Sequence, residues 1–178
     1  NPWRVGLPAT IVAHPVGGLA LPVPNRYIAA DLSLLEEQDQ RPAQLLEAPG
    51  FELWHMADAS FRTPKAEWRL SLQHPDTSRD ARHAALTSLL AGWLDDSLNE
   101  EFYAARLAGH DVTAYSHARG MTLSFSGWRD RQERGIQRTL DQLIDGEIDT
   151  ASFERVRYRL QREWRNAPQA ALYQQAHR

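Results

Sequence analysis

The chain has 178 residues, of which 42% are hydrophobic and 24% are charged, and its formal net charge is -3. This length supports one hydrophobic core, and the acidic balance argues against a dedicated nucleic-acid-binding protein, which carries a basic excess. No apolar run reaches the roughly eighteen residues of a membrane span. The absence of cysteine excludes disulfides, thiolate metal sites and a cysteine nucleophile.

The first thirty residues are rich in proline and glycine. Proline fixes φ and removes a backbone donor, so this stretch is neither a continuous helix nor a central strand. We expect residues 1–30 to form an extended linker.

Two strands are predicted next, at 51–57 and 66–74. The second strand alternates apolar and polar residues, which predicts one buried face and one polar face. Its polar face carries Glu67, Arg69 and Ser71.

A long helix is predicted to run to about Leu107, because apolar residues recur every three or four positions. Asp76, Thr77 and Ser78 are candidate N-caps, and Gly109 stands where a glycine ends a helix.

Two strands at 111–118 and 121–128 follow, then a helix at 129–144 and a third helix capped by Asp149 or Thr150. The element order is β-β-α-β-β-α-α. Since every strand has one apolar face and every helix one apolar stripe, we predict an α+β fold, an antiparallel sheet with helices packed on one face.

Four carboxylates stand close together in the long helix: Asp95, Asp96, Glu100 and Glu101. Asp96 and Glu100 are four residues apart and share a helix face. Paired carboxylates can perform acid–base catalysis when burial raises one pKa, but a solvated helix flank is the commoner case. We favour the solvated surface.

The third predicted helix carries Arg155, Arg159 and Arg162 in a stripe, with Arg157 and Arg165 beside it. An arginine stripe is either a solvated face or a docking surface for an acidic partner or a phosphate backbone. The histidines form no H-E-x-x-H or H-x-x-E-H pattern, and the sequence contains no phosphate-binding loop and no G-x-S-x-G.

Several blocks together resemble the pitrilysin/insulinase family of zinc peptidases, which includes insulin-degrading enzyme and protease III. The blocks are L-P-x-P-N at 21–25, L-W at 53–54 with P-K-A ten residues on, D-S-L-N-E at 96–100 leading to L-A-G at 107–109, and G-M-x-L-S at 120–124. The similar region is the first domain of the catalytically silent C-terminal half.

The resemblance implies a domain with an antiparallel sheet and helices on one face. Residues 1–30 would link it to a preceding half, and residues 31–178 would form a noncatalytic domain that is incomplete at its C terminus. At the position of the family's H-x-x-E-H this chain has Leu89 to Trp93 and no ligand. We therefore expect no catalytic residue and no metal or other cofactor in this chain, with zinc in another domain of a longer protein.

The resemblance also implies partners: the other domains of the peptidase and an enclosed peptide or small-protein substrate. The polar sheet face would then help wall the substrate chamber, or would be merely solvated. The candidate wall residues are Glu67, Arg69, Ser71, Tyr115, His117, Thr122 and Ser124.

Two questions stay open at this point. The alternative function is a stand-alone module that binds an acidic partner through the arginine-lined helix. The sub-family is also open, because the chain resembles the peptidase of coenzyme PQQ biosynthesis as much as protease III. Arginine outnumbers lysine nineteen to one, which is typical of GC-rich bacteria. The compartment is open as well, between the bacterial cytoplasm and the periplasm.

Overall fold

The computed structural model describes residues 23–36 and 40–169 of the chain. It contains five strands, β1 to β5, four α-helices, α1 to α4, and two short 3₁₀ turns. The strands are Ala43–Ala48, Phe51–His55, Lys65–Gln73, Asp111–His117 and Gly120–Trp128; the helices are Ala81–Leu98, Glu101–Leu107, Gln132–Asp145 and Thr150–Asn166. The predicted α+β class is confirmed.

The main sheet has three antiparallel strands in the order β3-β5-β4. Met121, Leu123 and Phe125 of the central strand point to one side, where they are almost fully buried against Leu94 and Leu98 of α1. The opposite side carries the polar residues of the strands. The structure therefore has the predicted arrangement, with a helix-covered apolar face and a polar face.

The hairpin β1–β2 forms a separate two-stranded sheet. We did not predict β1, although Pro49-Gly50 between two apolar runs is a turn signal. The predicted strand at 51–57 is β2, and it pairs with β1 rather than with a strand of the main sheet. The β1–β2 hairpin exposes Leu45, Leu46 and Trp54 to solvent.

The predicted single long helix is divided into α1 and α2 at Asn99 and Glu100. The carbonyl oxygen of Asn99 accepts a hydrogen bond from the Arg106 guanidinium at 2.8 Å, and the N–H of Tyr103 bonds to Glu100 instead. A side chain therefore replaces one backbone bond of the continuous helix. None of the helices in the described part of the chain has the length and apolar content needed to cross a bilayer.

One end of each of the four helices can be compared with the predictions. Asp80 caps α1, rather than Asp76, Thr77 or Ser78, because residues 75–78 form a separate 3₁₀ turn. The helix predicted from residue 129 begins at Gln132, because Arg131 has a left-handed φ of 70°. The predictions at Asp149, which caps α4, and at Gly109, which has φ +86° after α2, are confirmed.

Residues 23–36, which we call the leading segment, have no helix or strand but are part of the packed unit. Tyr27 is 2% exposed and contacts Phe102 edge-on, with ring centroids 6.4 Å apart. Its carbonyl oxygen lies 3.0 Å from Nε2 of the buried His110. The predicted linker over residues 1–30 thus includes a core residue, and residues 1–22 lie outside the described part.

Candidate functional site

The antiparallel register aligns polar side chains in rows across the face of the main sheet that the helices leave open. Ser124 of β5 lies between Arg69 of β3 and Thr113 of β4, and Thr122 lies between Ser71 and Tyr115. Directly paired residues of antiparallel strands project to the same side. The structure therefore brings all seven predicted residues to one surface, which we call the polar sheet face: Glu67, Arg69, Ser71, Tyr115, His117, Thr122 and Ser124.

The charged side chains of the polar sheet face are paired along β3. Nε of Arg69 donates a hydrogen bond to Oε1 of Glu67 at 2.8 Å, and both side chains are exposed. This hydrogen bond, together with the negative charge of Glu67, raises the pKa of Arg69 above its ordinary value. The pair therefore presents a fixed cation and a fixed anion to whatever occupies the space above the sheet.

His117 and Thr122 form the one histidine–hydroxyl contact of this face, with Nε2 and Oγ1 3.1 Å apart. The backbone N–H of Arg119 donates to Nδ1 of His117. Nδ1 is therefore an acceptor, and in the neutral ring the hydrogen is on Nε2, which donates a hydrogen bond to Thr122. In this tautomer Nε2 has no lone pair with which to deprotonate the threonine, so Thr122 is not an activated nucleophile.

Sequence reasoning did not name two polar residues of β4 that lie on the same face, Asp111 and Thr113. The signal was present in the period of two along the predicted strand at 111–118, because Asp111 and Thr113 share the parity of Tyr115 and His117. Applying the alternation to the whole strand would have identified both residues.

Two of the four clustered carboxylates tie elements of the domain together. Glu101 lies 2.6 Å from Arg26 of the leading segment and 2.6 Å from Arg138 of α3. Asp96 accepts hydrogen bonds from Ser152 at 2.6 Å and from Arg155 at 2.8 Å, both on α4. Asp95 and Glu100 are exposed. Asp96 and Glu100 are not the paired carboxylates of a catalytic site in this arrangement.

The arginine stripe of α4 is partly neutralised within the chain. Arg155 pairs with Asp96 of α1, and Arg157 pairs with Glu154 on its own helix at 2.5 Å. Arg159 and Arg162 are exposed. The structure therefore supplies acidic partners for two of the arginines on which the alternative function depends.

Within residues 23–36 and 40–169, no group of three or more histidine, cysteine, aspartate or glutamate side chains is placed to hold a metal ion. Ala91 and Trp93 of α1, in the stretch that the sequence resemblance sets against H-x-x-E-H, are both buried in the core. These side chains offer zinc no ligand, so the residues present here do not fit a zinc site.

Comparison with known proteins places the chain in a family. Over residues 8–178 the sequence matches the family described as the middle or third domain of peptidase M16. Human insulin-degrading enzyme is 30% identical over 153 residues, which are 84% of this chain and 15% of the human protein. The insulin-degrading enzyme of Drosophila melanogaster is 26% identical over 159 residues, which are 88% of this chain and 16% of that protein.

The fold is that of a solved structure, the crystal structure of pitrilysin, with a TM-score of 0.77 at 20% sequence identity. The match covers 89% of this chain and 17% of the pitrilysin chain. The chain thus spans about a sixth of the length of these relatives.

Proposed function

Because the chain belongs to the peptidase M16 family as a middle or third domain, we propose that it is a noncatalytic domain of a longer zinc metalloendopeptidase. Its polar sheet face forms part of the wall of the chamber that encloses a peptide substrate. Hydrolysis takes place in another domain of that protein, where zinc supplies an activated water. The other domains of the peptidase are its partners.

One observation carries this proposal: the seven predicted residues lie on the side of the main sheet opposite the one that packs against α1, and all of them except the buried Thr122 are accessible. That face combines a guanidinium, a carboxylate and several hydroxyl groups. Such groups hydrogen-bond to the amides and polar side chains of an extended peptide without selecting one sequence, which suits a surface that encloses varied substrates.

The absence of catalytic groups is supported by the chemistry of the side chains. The Nε2–H of His117 donates a hydrogen bond to Thr122. Nε2 is therefore not a general base toward the threonine hydroxyl. Asp96 is already bound by Ser152 and Arg155. Both His117 and Asp96 thus have structural partners.

The chamber role is tested in the longer protein with a quenched fluorescent peptide. We expect Arg69→Ser to raise KM several-fold and to leave kcat nearly unchanged, because the contact is made by bound substrate and not by the reacting atoms. Arg157→Ser on α4 is the matched control, since it removes a paired, exposed arginine from the helix side. If both variants behave alike, the polar sheet face has no part in substrate binding.

The noncatalytic assignment is tested with the purified 178-residue chain and the same peptide, with and without a zinc chelator. We expect no hydrolysis in either condition. Hydrolysis that the chelator abolishes, in a preparation freed of contaminating peptidases, would contradict the assignment.

A further inference from the structure

Three buried polar atoms beside the start of α3 have no hydrogen-bond partner in the described part of the chain. They are Nδ1 of His110, Oε1 of Gln132 and Nε of Arg131. All three residues line one small cavity, and His110 and Gln132 are each only 5% exposed. Buried polar groups are nearly always hydrogen-bonded, because an unpaired one has given up its bonds to water without compensation. Three such groups around one cavity therefore indicate a bridging partner.

The unpaired atoms of His110 and Gln132 are both acceptors. Nε2 of His110 lies 3.0 Å from the carbonyl oxygen of Tyr27. A carbonyl only accepts, so in the neutral ring Nε2 carries the hydrogen and Nδ1 has a free lone pair. Nε2 of Gln132 donates to the carbonyl of Ala66 at 3.0 Å, which fixes the orientation of the amide and leaves Oε1 unpaired. Each side chain would lose this bond if it turned to find another partner.

The unpaired atom of Arg131 is a donor. Oδ2 of Asp130 lies 3.6 Å from this Nε, which is too long for a hydrogen bond. That oxygen already accepts the backbone N–H groups of Ala30 and Asp31. Arg131 has a left-handed φ of 70°, and within the described structure no side chain caps α3 at this end. A left-handed backbone in a non-glycine residue persists only where its surroundings stabilise it, and a bond from Nε into the cavity would contribute to that.

The size of the cavity limits what it can hold. Its volume is about 10 Å³, close to the smallest space that admits one water molecule. Pockets for small organic molecules measure about 300–1,000 Å³. Apolar side chains form much of the remaining wall, among them Tyr27, Val112 and Phe125. The occupant is therefore no larger than a water molecule or a monatomic ion.

Charge and hydrogen-bonding pattern then select water. A metal cation would lie beside the positive guanidinium of Arg131, and a halide ion would face the lone pairs of His110 and Gln132. A water molecule suits all three atoms, because it accepts one hydrogen bond from Arg131 and donates one to each acceptor. About three hydrogen bonds are usual for a buried water.

We propose that this cavity binds one internal water molecule, bonded to Nδ1 of His110, Oε1 of Gln132 and Nε of Arg131. The water connects three parts of the domain. His110 holds the leading segment through Tyr27, Gln132 holds β3 through Ala66, and α3 begins after Arg131. The water belongs to the fold whether or not the polar sheet face contacts a substrate, so this inference does not depend on the proposed function.

A high-resolution crystal structure of the 178-residue chain tests the proposal, together with a crystal soaked in sodium bromide. We expect one peak of electron density about 2.7–3.2 Å from each of the three atoms, and no anomalous signal from bromide at that position. A cavity without density, or a direct bond between Arg131 and His110, would overturn the proposal. A bromide signal in the cavity would overturn it as well, because the ligand would then be an anion.

Magnetic relaxation dispersion of the water oxygen, which counts long-lived internal waters in solution, gives a second readout. Gln132→Met removes one acceptor, and we expect this variant to hold one long-lived water fewer than the wild-type protein. His110→Gln is a second variant with the same expected loss, because the glutamine amide can still donate to Tyr27 while the acceptor at Nδ1 is gone. Thr139→Val is the matched control, since its buried hydroxyl already bonds to the carbonyl of Gly135. Its count should equal that of the wild-type protein.

Circular dichroism of each variant establishes that it is folded before its waters are counted. Equal counts in the wild-type protein, Gln132→Met and His110→Gln would contradict the bridging water. A water lost from Thr139→Val as well would mean that the loss is not specific to this cavity, which also contradicts the proposal.

Discussion

The carboxylate of Asp96 on α1 lies 2.8 Å from the guanidinium of Arg155 on α4. Two features that the sequence presents separately, an acidic cluster and an arginine stripe, are thus partners across a helix–helix contact. Burial raises the pKa of Asp96, but the hydrogen bonds from Ser152 and Arg155 and the charge of Arg155 outweigh burial. The net effect is a pKa below the ordinary value of 3.8.

We predict that Asp96→Asn lowers the melting temperature at pH 7 by about 2–4 °C. Because the folded state depresses the pKa, the carboxylate stabilises the fold above the unfolded pKa, and this contribution is lost as pH falls through the folded pKa. The difference between the wild-type protein and the variant should therefore be full above about pH 5 and fade below pH 3.8. Thermal melts monitored by circular dichroism across this range measure it.

Glu100→Gln is the matched control for this prediction, because Glu100 is an exposed carboxylate close to Asp96 in sequence. We expect its melting curve to follow that of the wild-type protein at each pH. A difference that is independent of pH for Asp96→Asn would mean that the charge of Asp96 does not matter.

We predict that Tyr27→Ala destabilises the domain by about 3–5 kcal/mol, since it removes a buried ring from the core. Tyr27→Phe keeps the edge-on contact with Phe102 and loses only a long, 3.4 Å bond from Arg26, so it should cost less than about 1 kcal/mol. Urea unfolding of both variants gives the two values. Equal, small losses would show that the leading segment is not part of the cooperative unit.

We predict opposite effects for two glycine substitutions. An added Cβ at Gly120, which has φ +152°, would lie 1.9 Å from the carbonyl oxygen of Leu72 in the paired strand. Gly120→Ala should therefore destabilise the domain by more than about 2 kcal/mol. At Gly135 in α3 the nearest atom is a methyl of Val112 at 3.6 Å, an ordinary contact, so Gly135→Ala should stabilise the domain by about 0.5–1 kcal/mol. Chemical denaturation measures both signs, and the same sign for the two variants would contradict the geometry.

We predict that Glu67→Gln changes the melting temperature of the 178-residue chain by less than about 1 °C. Its ion pair with Arg69 is exposed on both sides, and exposed ion pairs contribute little to stability. Differential scanning fluorimetry is sufficient to measure this. A clearly lower melting temperature would show that the Glu67–Arg69 pair stabilises the fold. A higher KM of the Arg69→Ser variant could then no longer be assigned to a lost contact with substrate.

The sequence predicts the part of the fold that follows from local periodicity. The alternation through Glu67, Arg69 and Ser71 fixes which face of β3 is polar, because a strand has a period of two. The same rule gave the polar residues of β5. The division of the surface into a helix-covered face and an open face therefore needed no tertiary information.

The remaining features depend on contacts between distant residues. The helix break at Asn99 requires the Arg106 guanidinium, and the late start of α3 depends on the left-handed backbone of Arg131. The burial of Tyr27 requires a pocket formed by Phe102 and His110. None of these contacts leaves a periodic trace in the sequence, so pattern reasoning had no signal for them.

The anchoring of the leading segment also constrains the order of events during synthesis. Asn25 bonds to the carbonyl of Ala104, Tyr27 to His110, and the N–H of Ala30 to the carboxylate of Asp130, which is 100 residues further along the chain. Polypeptides emerge from the ribosome N terminus first, and contacts of long sequence separation form slowly. The leading segment therefore docks only after its partners, Asp130 among them, have been synthesised.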